Sequence, residues 1–420
     1  MKHRLALLLV LVMTLTGCGS TSAGDVALAA DVARASASPA DANAAATAID
    51  AFGLDLYRQV ASTGGNVVLS PASVAIALAM ARAGAQGTTA AQMDAVMHGA
   101  GADGAGINAL DQALAARNGT FTDADGQTLP VTLRIANAPF AQRGMTLTPA
   151  YLDALAADFG AGVRLVDYEG ATEAARQAIN AWVAGQTENR IPQLIGNGIL
   201  SPQTRLTLVD AIYLKAPWVT PFPADATQTG PFTRADGSTV DVPLMSVSTS
   251  LAYAAGSGWQ AVELPYVGGS LALTVIVPAD LASFQAGLTA TELGQVFAGL
   301  QEQEVDLTLP KFSIQTATSL ADALKALGMP LAFDPEQADF SGITTQEQLF
   351  ISDVIHQANI SVDEKGTEAA AATAVVMAGS AAPAQRVTLR VDRPFLFALR
   401  DVPTGAILFL GRVVDPSTQG

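Results

Sequence analysis

A run of very small residues near the C-terminus constrains this chain more than any other feature. Residues 369–372 are four consecutive alanines, and an acidic turn around Glu364 precedes them. Because side chains of this size add almost no bulk, the segment could slide between two existing strands and become a strand itself. The strand period of two would place Thr367 on one face and Glu368 on the other, toward water. Alanine also favours helices, so an Ala-rich helix is the alternative for this segment taken alone.

The rest of the sequence decides between these two interpretations, because motifs of one known family recur along it in order. The motif-bearing segments are 66–80, 84–89, 179–192, 208–222, 309–314, 327–343, 362–377 and 393–413. From about Ala48 to Pro416 the chain resembles the serpins, a family of serine protease inhibitors. The resemblance implies an α+β fold in which helices pack around three β-sheets, with a large central sheet and an exposed reactive loop.

Composition agrees with one large folded body. Half of the residues are hydrophobic and 14% are charged, so a sizeable core can be buried. Length alone would suggest two or more domains, whereas the resemblance implies a single one. Alternating, β-branched runs predict strands at 131–135, 271–277 and 387–391. Segments rich in Ala and Leu predict helices near 48–60, 71–83, 148–158, 172–184 and 318–327. There is no regular βαβ alternation and no internal repeat, which also favours an α+β class.

The N-terminus resembles a bacterial lipoprotein signal. Lys2 and Arg4 precede a short apolar run, and Leu15-Thr-Gly-Cys18 follows it. The run is too short for a permanent membrane helix, so a removable export signal is the better interpretation. Cys18 is the only cysteine, so it cannot form an internal disulfide, and the resemblance makes it the lipidation site. An incidental cysteine is the alternative.

These observations divide the chain into four parts. Residues 1–17 are predicted to be the signal peptide and residues 18–47 a flexible tether rich in small residues. Residues 48–416 are predicted to form the single serpin domain, and 363–393 its reactive-loop region with the hinge. We expect an exported monomer that is lipid-anchored at the bacterial cell envelope, facing the periplasm or the surface, or released outside. Gly19 after the cysteine weakly favours the outer membrane of a Gram-negative source.

Charge narrows the partners further. The net charge is −16, which makes nucleic acid an unsuitable ligand. Some serpins are activated by polyanions that bind a basic helix, but the corresponding region, roughly 99–130, contains Arg117, with Arg134 nearby, and otherwise mostly Asp, Ala, Gly and Asn. We therefore expect no heparin-like activator.

An enzyme is the competing class, and the residue inventory argues against it. The chain has three histidines, one of them in the signal, so a Ser/His/Asp site would need His98 or His356. The segment 268–272 approaches a nucleophile elbow but misses its last glycine. Residues 99–104 match a dinucleotide fingerprint formally, yet no strand leads into them. We expect no catalytic residue, no cofactor and no metal.

The resemblance also assigns a polar cluster beneath the opening of the central sheet. Its predicted members are Ser70, Ser73, Asp210 and His356, and Trp218 is predicted to lie at the top of the sheet, where insertion begins. A buried core tryptophan is the alternative for Trp218. The family usually has Asn at position 210, and a carboxylate only accepts hydrogen bonds unless it is protonated. Either His356 is held as a cation or Asp210 keeps its proton, and we expect stability or loop insertion to depend on pH between about 5 and 8. A substitution without consequence is the alternative.

The mechanism that the resemblance implies is suicide inhibition. A target protease attacks the reactive loop, forms an acyl-enzyme, and is trapped when the freed hinge inserts into the central sheet. The predicted hinge positions are Glu364, Gly366, Thr367, Ala369, Ala370, Ala371 and Ala372. Family spacing places the attacked bond between Ser380 and Ala381, with Met377 and Ala382 as alternatives.

Residues around the predicted bond are small and uncharged, which suits elastase-like or subtilisin-like serine proteases better than trypsin-like ones. Cysteine proteases are an alternative target class. A non-inhibitory serpin, acting as a binding protein or a cleavable substrate, is the alternative function.

Overall fold

The computed structural model describes residues 26–62, 64–102, 104–122, 126–368 and 386–418. The helices in these ranges are α1 (Pro39–Val60), α2 (Pro71–Arg82), α3 (Gly87–Val96), α4 (Ala105–Ala115), α5 (Pro149–Phe159), α6 (Tyr168–Gln186), α7 (Leu281–Gly287), α8 (Ala290–Ala298) and α9 (Ala321–Leu327). Short 3-10 turns occupy Ala224–Ala226 and Pro330–Phe333. In the part of the chain that the structure describes, no helix is both long and apolar enough to cross a membrane.

The strands alternate irregularly with the helices. They are β1 (Val26–Leu28), β2 (Val67–Leu69), β3 (Gly119–Thr122), β4 (Thr128–Gln142), β5 (Val163–Val166), β6 (Leu206–Pro217), β7 (Gln228–Thr233), β8 (Thr239–Gly256), β9 (Trp259–Pro265), β10 (Leu271–Pro278), β11 (Gln301–Pro310), β12 (Phe312–Ser319), β13 (Val354–Asp363), β14 (Gly366–Thr367), β15 (Val387–Arg390), β16 (Phe395–Asp401) and β17 (Ile407–Val413). This mixture is the α+β class that the sequence predicts.

Hydrogen bonding joins the described strands into two sheets. The central sheet has eight strands, in the order β1-β5-β4-β6-β14-β13-β12, with β3 paired to β4. The second sheet has nine, in the order β15-β11-β8-β9-β10-β16-β17-β2, with β7 paired to β8. Three sheets are expected from the family resemblance. The two smaller ones are continuous here because the 18-residue β8 pairs with β7, β11 and β9 along its length.

Helix α2 connects the two sheets and explains where the core lies. Ser70 caps its N-terminus by accepting a hydrogen bond from the Ser73 N–H, and Pro71 occupies the first turn, where no amide donor is needed. Every residue from Pro71 to Ala81 is buried. The helix packs against β4 and β6 of the central sheet and against β17 of the second. An apolar surface all round a helix requires burial on all sides, and α2 receives it.

Several predicted elements differ from the structure in their bounds, and for two helices the contacts show why. The helix predicted near 48–60 begins nine residues earlier, at Pro39, because alanines 42, 45 and 46 are buried against the core. The helix predicted over 318–327 begins at Ala321, because residues 318 and 319 still pair with β13 as the end of β12.

The first of these differences affects the predicted tether. Residues 26–47 fall within the segment 18–47, yet the structure describes a strand, β1, and the first turns of α1 there. Small side chains suit a flexible tether, but they also allow a helix or strand to lie close against its neighbours.

Candidate functional site

The central strands β6 and β13 meet along a boundary that we call the seam. Over residues 354–358, β13 pairs directly and in parallel with β6. Farther along, Gly366 and Thr367 of β14 lie between the two strands and pair antiparallel with both. We call this the hinge end of the seam. Two residues of the predicted hinge therefore already occupy the place that an inserted strand would take.

Gly366 is required by the close approach of β14 to β6. Its φ is 148°, and a Cβ added there would lie 2.2 Å from the carbonyl oxygen of Ala216. Only glycine adopts this backbone conformation without strain and leaves room for the neighbouring strand.

Thr367 is held inside the protein. It is 1% exposed, and its Oγ1 lies 2.6 Å from the hydroxyl oxygen of Tyr266, with which it forms a hydrogen bond. Tyr266 in turn stacks on Trp218, with ring centroids 4.4 Å apart. The Trp218 ring donates a hydrogen bond from Nε1 to the Asp363 carbonyl at 2.9 Å. The aromatic pair therefore forms the wall against which the hinge rests, and Trp218 lies at the end of the seam where the resemblance predicts it.

Glu364 fixes the turn that leads into β14. Its Oε1 accepts hydrogen bonds from Lys311 Nζ at 2.6 Å and from Thr227 Oγ1 at 2.8 Å. Partial burial raises its pKa, but these hydrogen bonds outweigh it and hold the pKa of Glu364 below its ordinary value. The carboxylate is thus charged at neutral pH and ties β13 and the turn to neighbouring strands.

Glu368 is the last described residue before the alanine run, and it points inward. Its Oε2 lies 3.1 Å from Arg190 Nε, and its side chain is 9% exposed. The backbone φ is 51°, in the left-handed region that non-glycine residues rarely adopt. Burial raises the pKa of Glu368, Arg190 opposes the rise, and nearby Glu188 adds to it. The expectation that this charge faces water does not hold in the described state, because the left-handed backbone at Glu368 breaks the strand alternation and its side chain meets Arg190.

Below the hinge, the seam crosses a buried group of side chains that we call the polar cluster: Ser70, Ser73, Asn137, Asp210 and His356. The backbone registers place Asn137 of β4 and His356 of β13 on either side of Asp210 on β6. The N-terminus of α2 supplies the two serines from above the sheet. Ser70, Ser73, Asp210 and His356 are fully buried, so each polar atom needs a partner inside the protein.

The hydrogen bonds of the histidine show where its proton lies. The Ser70 N–H donates to Nε2 at 3.1 Å, so Nε2 is an acceptor and carries no proton. The ring proton is then on Nδ1, which lies 3.1 Å from Asp210 Oδ2. His356 is therefore the neutral tautomer that donates to Asp210, and the cationic alternative expected from sequence is disfavoured.

The hydroxyl of Ser73 has two oxygen neighbours and a single proton. Its Oγ lies 3.1 Å from Asn137 Oδ1 and forms a short contact with Asp210 Oδ1. The Asn137 amide group is oriented by donating from Nδ2 to the Ser73 carbonyl at 2.9 Å. If the carboxyl of Asp210 keeps its proton, it donates to Ser73, which donates to Asn137, and every contact is satisfied. The geometry thus favours a neutral acid at Asp210.

The structure brings together the four residues predicted for the polar cluster. The sequence reasoning missed three contributors to the site, Asn137 in the polar cluster and Tyr266 and Arg190 at the hinge end of the seam. Asn137 and Tyr266 each lie on or beside a strand whose polar residues are ordinarily expected to face solvent. Arg190 sits after a helix and meets Glu368 only through the fold. A polar side chain within the apolar run of β4 is the signal that could have indicated Asn137.

Several predicted residues lie outside the described ranges. These are Cys18, the hinge residues Ala369, Ala370, Ala371 and Ala372, and the candidate bond residues Met377, Ser380, Ala381 and Ala382. Their roles stay predictions, as do the roles in inhibition of the residues described above.

Comparison with known proteins gives a family match over nearly the same residues as the predicted domain. Residues 47–416 match the family described as Serpin (serine protease inhibitor). An uncharacterised serpin-like protein of Thermococcus kodakarensis is 37% identical over 376 residues, covering 88% of this chain and 85% of the relative. The leukocyte elastase inhibitor of Homo sapiens is 32% identical over 379 residues, covering 87% and 97%. The crystal structure of native protease nexin-1 with heparin superposes with a TM-score of 0.77 at 28% identity, covering 90% of this chain and 100% of that one.

Proposed function

Because this chain belongs to the serpin family of serine protease inhibitors, we propose that it traps elastase-like or subtilisin-like serine proteases by inserting its cleaved reactive loop into the seam. The protease would attack the bond after Ser380, form an ester with that residue and release the chain from Ala381 onward as a free amine. Insertion of the hinge would then carry the acyl-enzyme away before water completes the hydrolysis.

The position of β14 is the observation that supports this proposal most. Its two residues pair with both β6 and β13, so residues that follow Thr367 could extend the same antiparallel pairing along the seam. Below them, only the direct pairing of residues 354–358 with β6 would have to be exchanged. An inserted strand of about 15 residues, at about 0.5 to 1.5 kcal/mol net per hydrogen bond, would gain on the order of 10 kcal/mol. That gain is comparable with the stability of a whole domain.

The choice of target class rests on the chemistry of the loop. The residues from Ala378 to Ala382 are small and uncharged, and such side chains fit proteases with shallow, apolar primary pockets. The named relative that inhibits leukocyte elastase is consistent with this class. A trypsin-like protease would need Lys or Arg, and the first basic residue after the hinge lysine is Arg386.

We also propose that the protein is exported and held at the cell envelope by a lipid on Cys18. The basic residues, the apolar run and the Leu15-Thr-Gly-Cys18 motif support this proposal. An inhibitor held there would meet proteases that reach the cell surface or the periplasm.

Intact-mass spectrometry after brief incubation with an elastase-type serine protease tests the function. We expect a covalent adduct whose mass is the sum of the two proteins less a peptide that begins at Ala381. A protease whose catalytic serine is replaced by alanine is the control, and it should give neither adduct nor peptide. Cleavage at the loop with no adduct would contradict trapping and favour the non-inhibitory alternative. An adduct with cleavage after Met377 or Ala382 would move the bond without changing the mechanism.

A further inference from the structure

The chain from Val26 to Ser36, which we call the N-terminal arm, is docked on the edge of the central sheet. Val26 and Leu28 pair antiparallel with Leu165 and Val163 of β5, so the arm adds an outer strand to the sheet. Farther along, the Ala35 N–H donates to the Ala157 carbonyl of α5 at 2.8 Å. The arm is thus bound at both ends by backbone hydrogen bonds.

Arg34 provides a side-chain clamp between these ends. Its Nε donates to Asn108 Oδ1 at 2.9 Å, and its Nη2 lies 2.5 Å from Asp111 Oδ2. Asn108 is fully buried and donates in return to the Ala35 carbonyl at 3.0 Å. Both partners lie on α4, so the arm bridges the sheet edge and the helix layer beside it.

The groove under the arm has room for it because of two glycines. A Cβ at Gly162 would lie 2.4 Å from the Leu28 carbonyl oxygen, and the φ of Gly162 is not in the left-handed region. Gly160, with a φ of 58°, would place its Cβ 3.1 Å from Arg34 Cδ. An alanine at position 162 would therefore exclude the arm without straining the chain that forms the groove.

The strand registers show from which end of the sheet the arm emerges. β6 runs toward the hinge end, where Ala216 and Pro217 pair with β14. At its other end, Leu206 pairs with Ala141 of β4, and Ala141 pairs with Leu165 of β5. Val26 pairs with the same Leu165, so the arm begins level with Leu206. Ten residues of strand, about 33 Å, separate this level from Ala216.

The direction of β1 shows which end of the arm lies farther from the hinge. β5 is parallel to β4, β4 is antiparallel to β6, and β1 is antiparallel to β5. β1 therefore runs toward the hinge end, and Val26, its first residue, lies at the end of β1 that is farther from the hinge.

We propose that the N-terminal arm orients the inhibitor on a lipid surface, with the hinge end of the seam directed away from the membrane. This inference rests on the lipid anchor proposed for Cys18. Eight Cα–Cα steps separate Cys18 from Val26, so the anchor point lies within about 28 Å of the docked arm. If the arm detached from β5 and α4, residues 26–36 would become part of the link to the anchor. The folded domain could then rotate freely relative to the membrane.

Energy transfer to the membrane surface from two labels tests the orientation. Gln203 is exposed just before β6, and Val219 is exposed just beyond the hinge end. Each is replaced by cysteine in the lipidated full chain, where the lipid joined to the Cys18 sulfur blocks that thiol. The protein is then bound to phosphatidylcholine vesicles that carry an acceptor dye on their headgroups. We expect transfer to be about twofold or more stronger at position 203, because roughly 30 Å or more of strand separates the sites.

Gly162→Ala is the test of the arm, and Gly185→Ala is its matched control, because a Cβ at Gly185 meets nothing within 4 Å. The first variant should reduce the difference between the labels and the second should preserve it. Equal transfer from both labels in the attached wild-type chain would overturn the orientation. An unchanged difference in Gly162→Ala would overturn the role of the arm, and a chain that does not attach to vesicles would overturn the anchor and the orientation together.

Limited proteolysis separates docking from lipid attachment. Trypsin cleavage after Arg34 in the detergent-solubilised chain should be slow and should accelerate roughly tenfold in Gly162→Ala, since cleavage requires local undocking. Equal rates in the two proteins would overturn docking. None of these outcomes depends on the protease adduct, so failure of the inhibitory function is recognised separately.

Discussion

The two sheets of this protein are held together in opposite ways. Where the nine-stranded sheet packs on the core, its buried side chains are largely aromatic and aliphatic, and Phe395, Phe397 and Phe409 are each 0% exposed. The seam of the central sheet instead crosses the polar cluster, in which hydrogen bonds join α2 to β4, β6 and β13. The nine-stranded sheet is therefore held by apolar packing, whereas hydrogen bonds cross the seam of the central sheet.

The difference bears on how a strand could enter one sheet and not the other. Hydrogen bonds along the seam can be exchanged for bonds to an incoming strand, so their net loss is small. Apolar contacts have no such replacement, and opening them would expose surface at about 25 cal/mol per Å². The small residues at the predicted hinge fit this picture, because a strand without bulk disturbs little of the packing on either face.

The largest expected effect of a substitution is in the nine-stranded sheet. Phe397→Ala should lower the free energy of unfolding by about 3 to 5 kcal/mol, because it leaves a cavity among buried aromatic rings. Phe350→Ala is the matched control, since Phe350 is only partly buried, and it should cost clearly less. Urea titration followed by circular dichroism measures both. Equal losses in the two variants would contradict the tight packing assigned to this sheet.

A partly buried carboxyl next to the same sheet should make stability depend on pH. Asp50 on α1 accepts a hydrogen bond from the Ile407 N–H at 2.8 Å. Burial raises the pKa of Asp50 to about 7, against the lowering effects of this bond and of Arg400. The folded chain therefore holds a proton that the unfolded chain releases near pH 4, and this stability is present below pH 4 and lost as the pH rises through about 7.

Asp50→Asn removes this titration and keeps an acceptor for Ile407. At pH 8 the variant should be more stable than the wild type by about 2 to 4 kcal/mol, and at pH 4 the two should be nearly equal. Thermal unfolding at both pH values gives the comparison. A difference that is the same at pH 4 and pH 8 would show that Asp50 is not the titrating group.

The smallest effect is expected at the seam, where hydrogen bonds and not apolar packing join the strands. An asparagine at position 210 offers one donor and one acceptor, as does the neutral acid that the polar cluster favours. Asp210→Asn should therefore change the free energy of unfolding by less than about 1 kcal/mol at pH 5. Urea titration of both proteins at this pH gives the comparison. A loss of more than about 3 kcal/mol in the variant would contradict an interchangeable amide at position 210.

Local patterns in the amino-acid sequence are enough to predict much of the fold. The capped, fully apolar helix α2 and the β-branched runs of β10 and β15 lie where periodicity places them. Gly366 can be assigned to the hinge because the residues around it match a family motif. Each of these signals is contained in a short stretch of sequence.

The features that the sequence does not indicate depend on contacts between distant segments. Asn137 becomes part of the polar cluster only through the register of β4 with β6. Glu368 turns inward because Arg190 is brought to the seam by the end of α6 and the segment after it. Composition makes residues 26–36 resemble a tether, whereas β5 and the buried Asn108 bind them. Such partners cannot be found by composition, because small and polar residues suit both a tether and a docked strand.

The Thr367→Arg variant tests whether the cleaved loop inserts into the seam. Thr367 is buried between β6 and β13 beside Tyr266, so an arginine there cannot enter the seam without burying an unpaired charge. Thr239→Arg, at an exposed position on β8, is the control. Each protein is mixed with an elastase-type protease, and the ratio of covalent adduct to cleaved, free inhibitor is measured by intact mass. We expect mostly adduct for the wild type and Thr239→Arg, and almost only cleaved chain for Thr367→Arg; equal adduct yields in all three would contradict loop insertion.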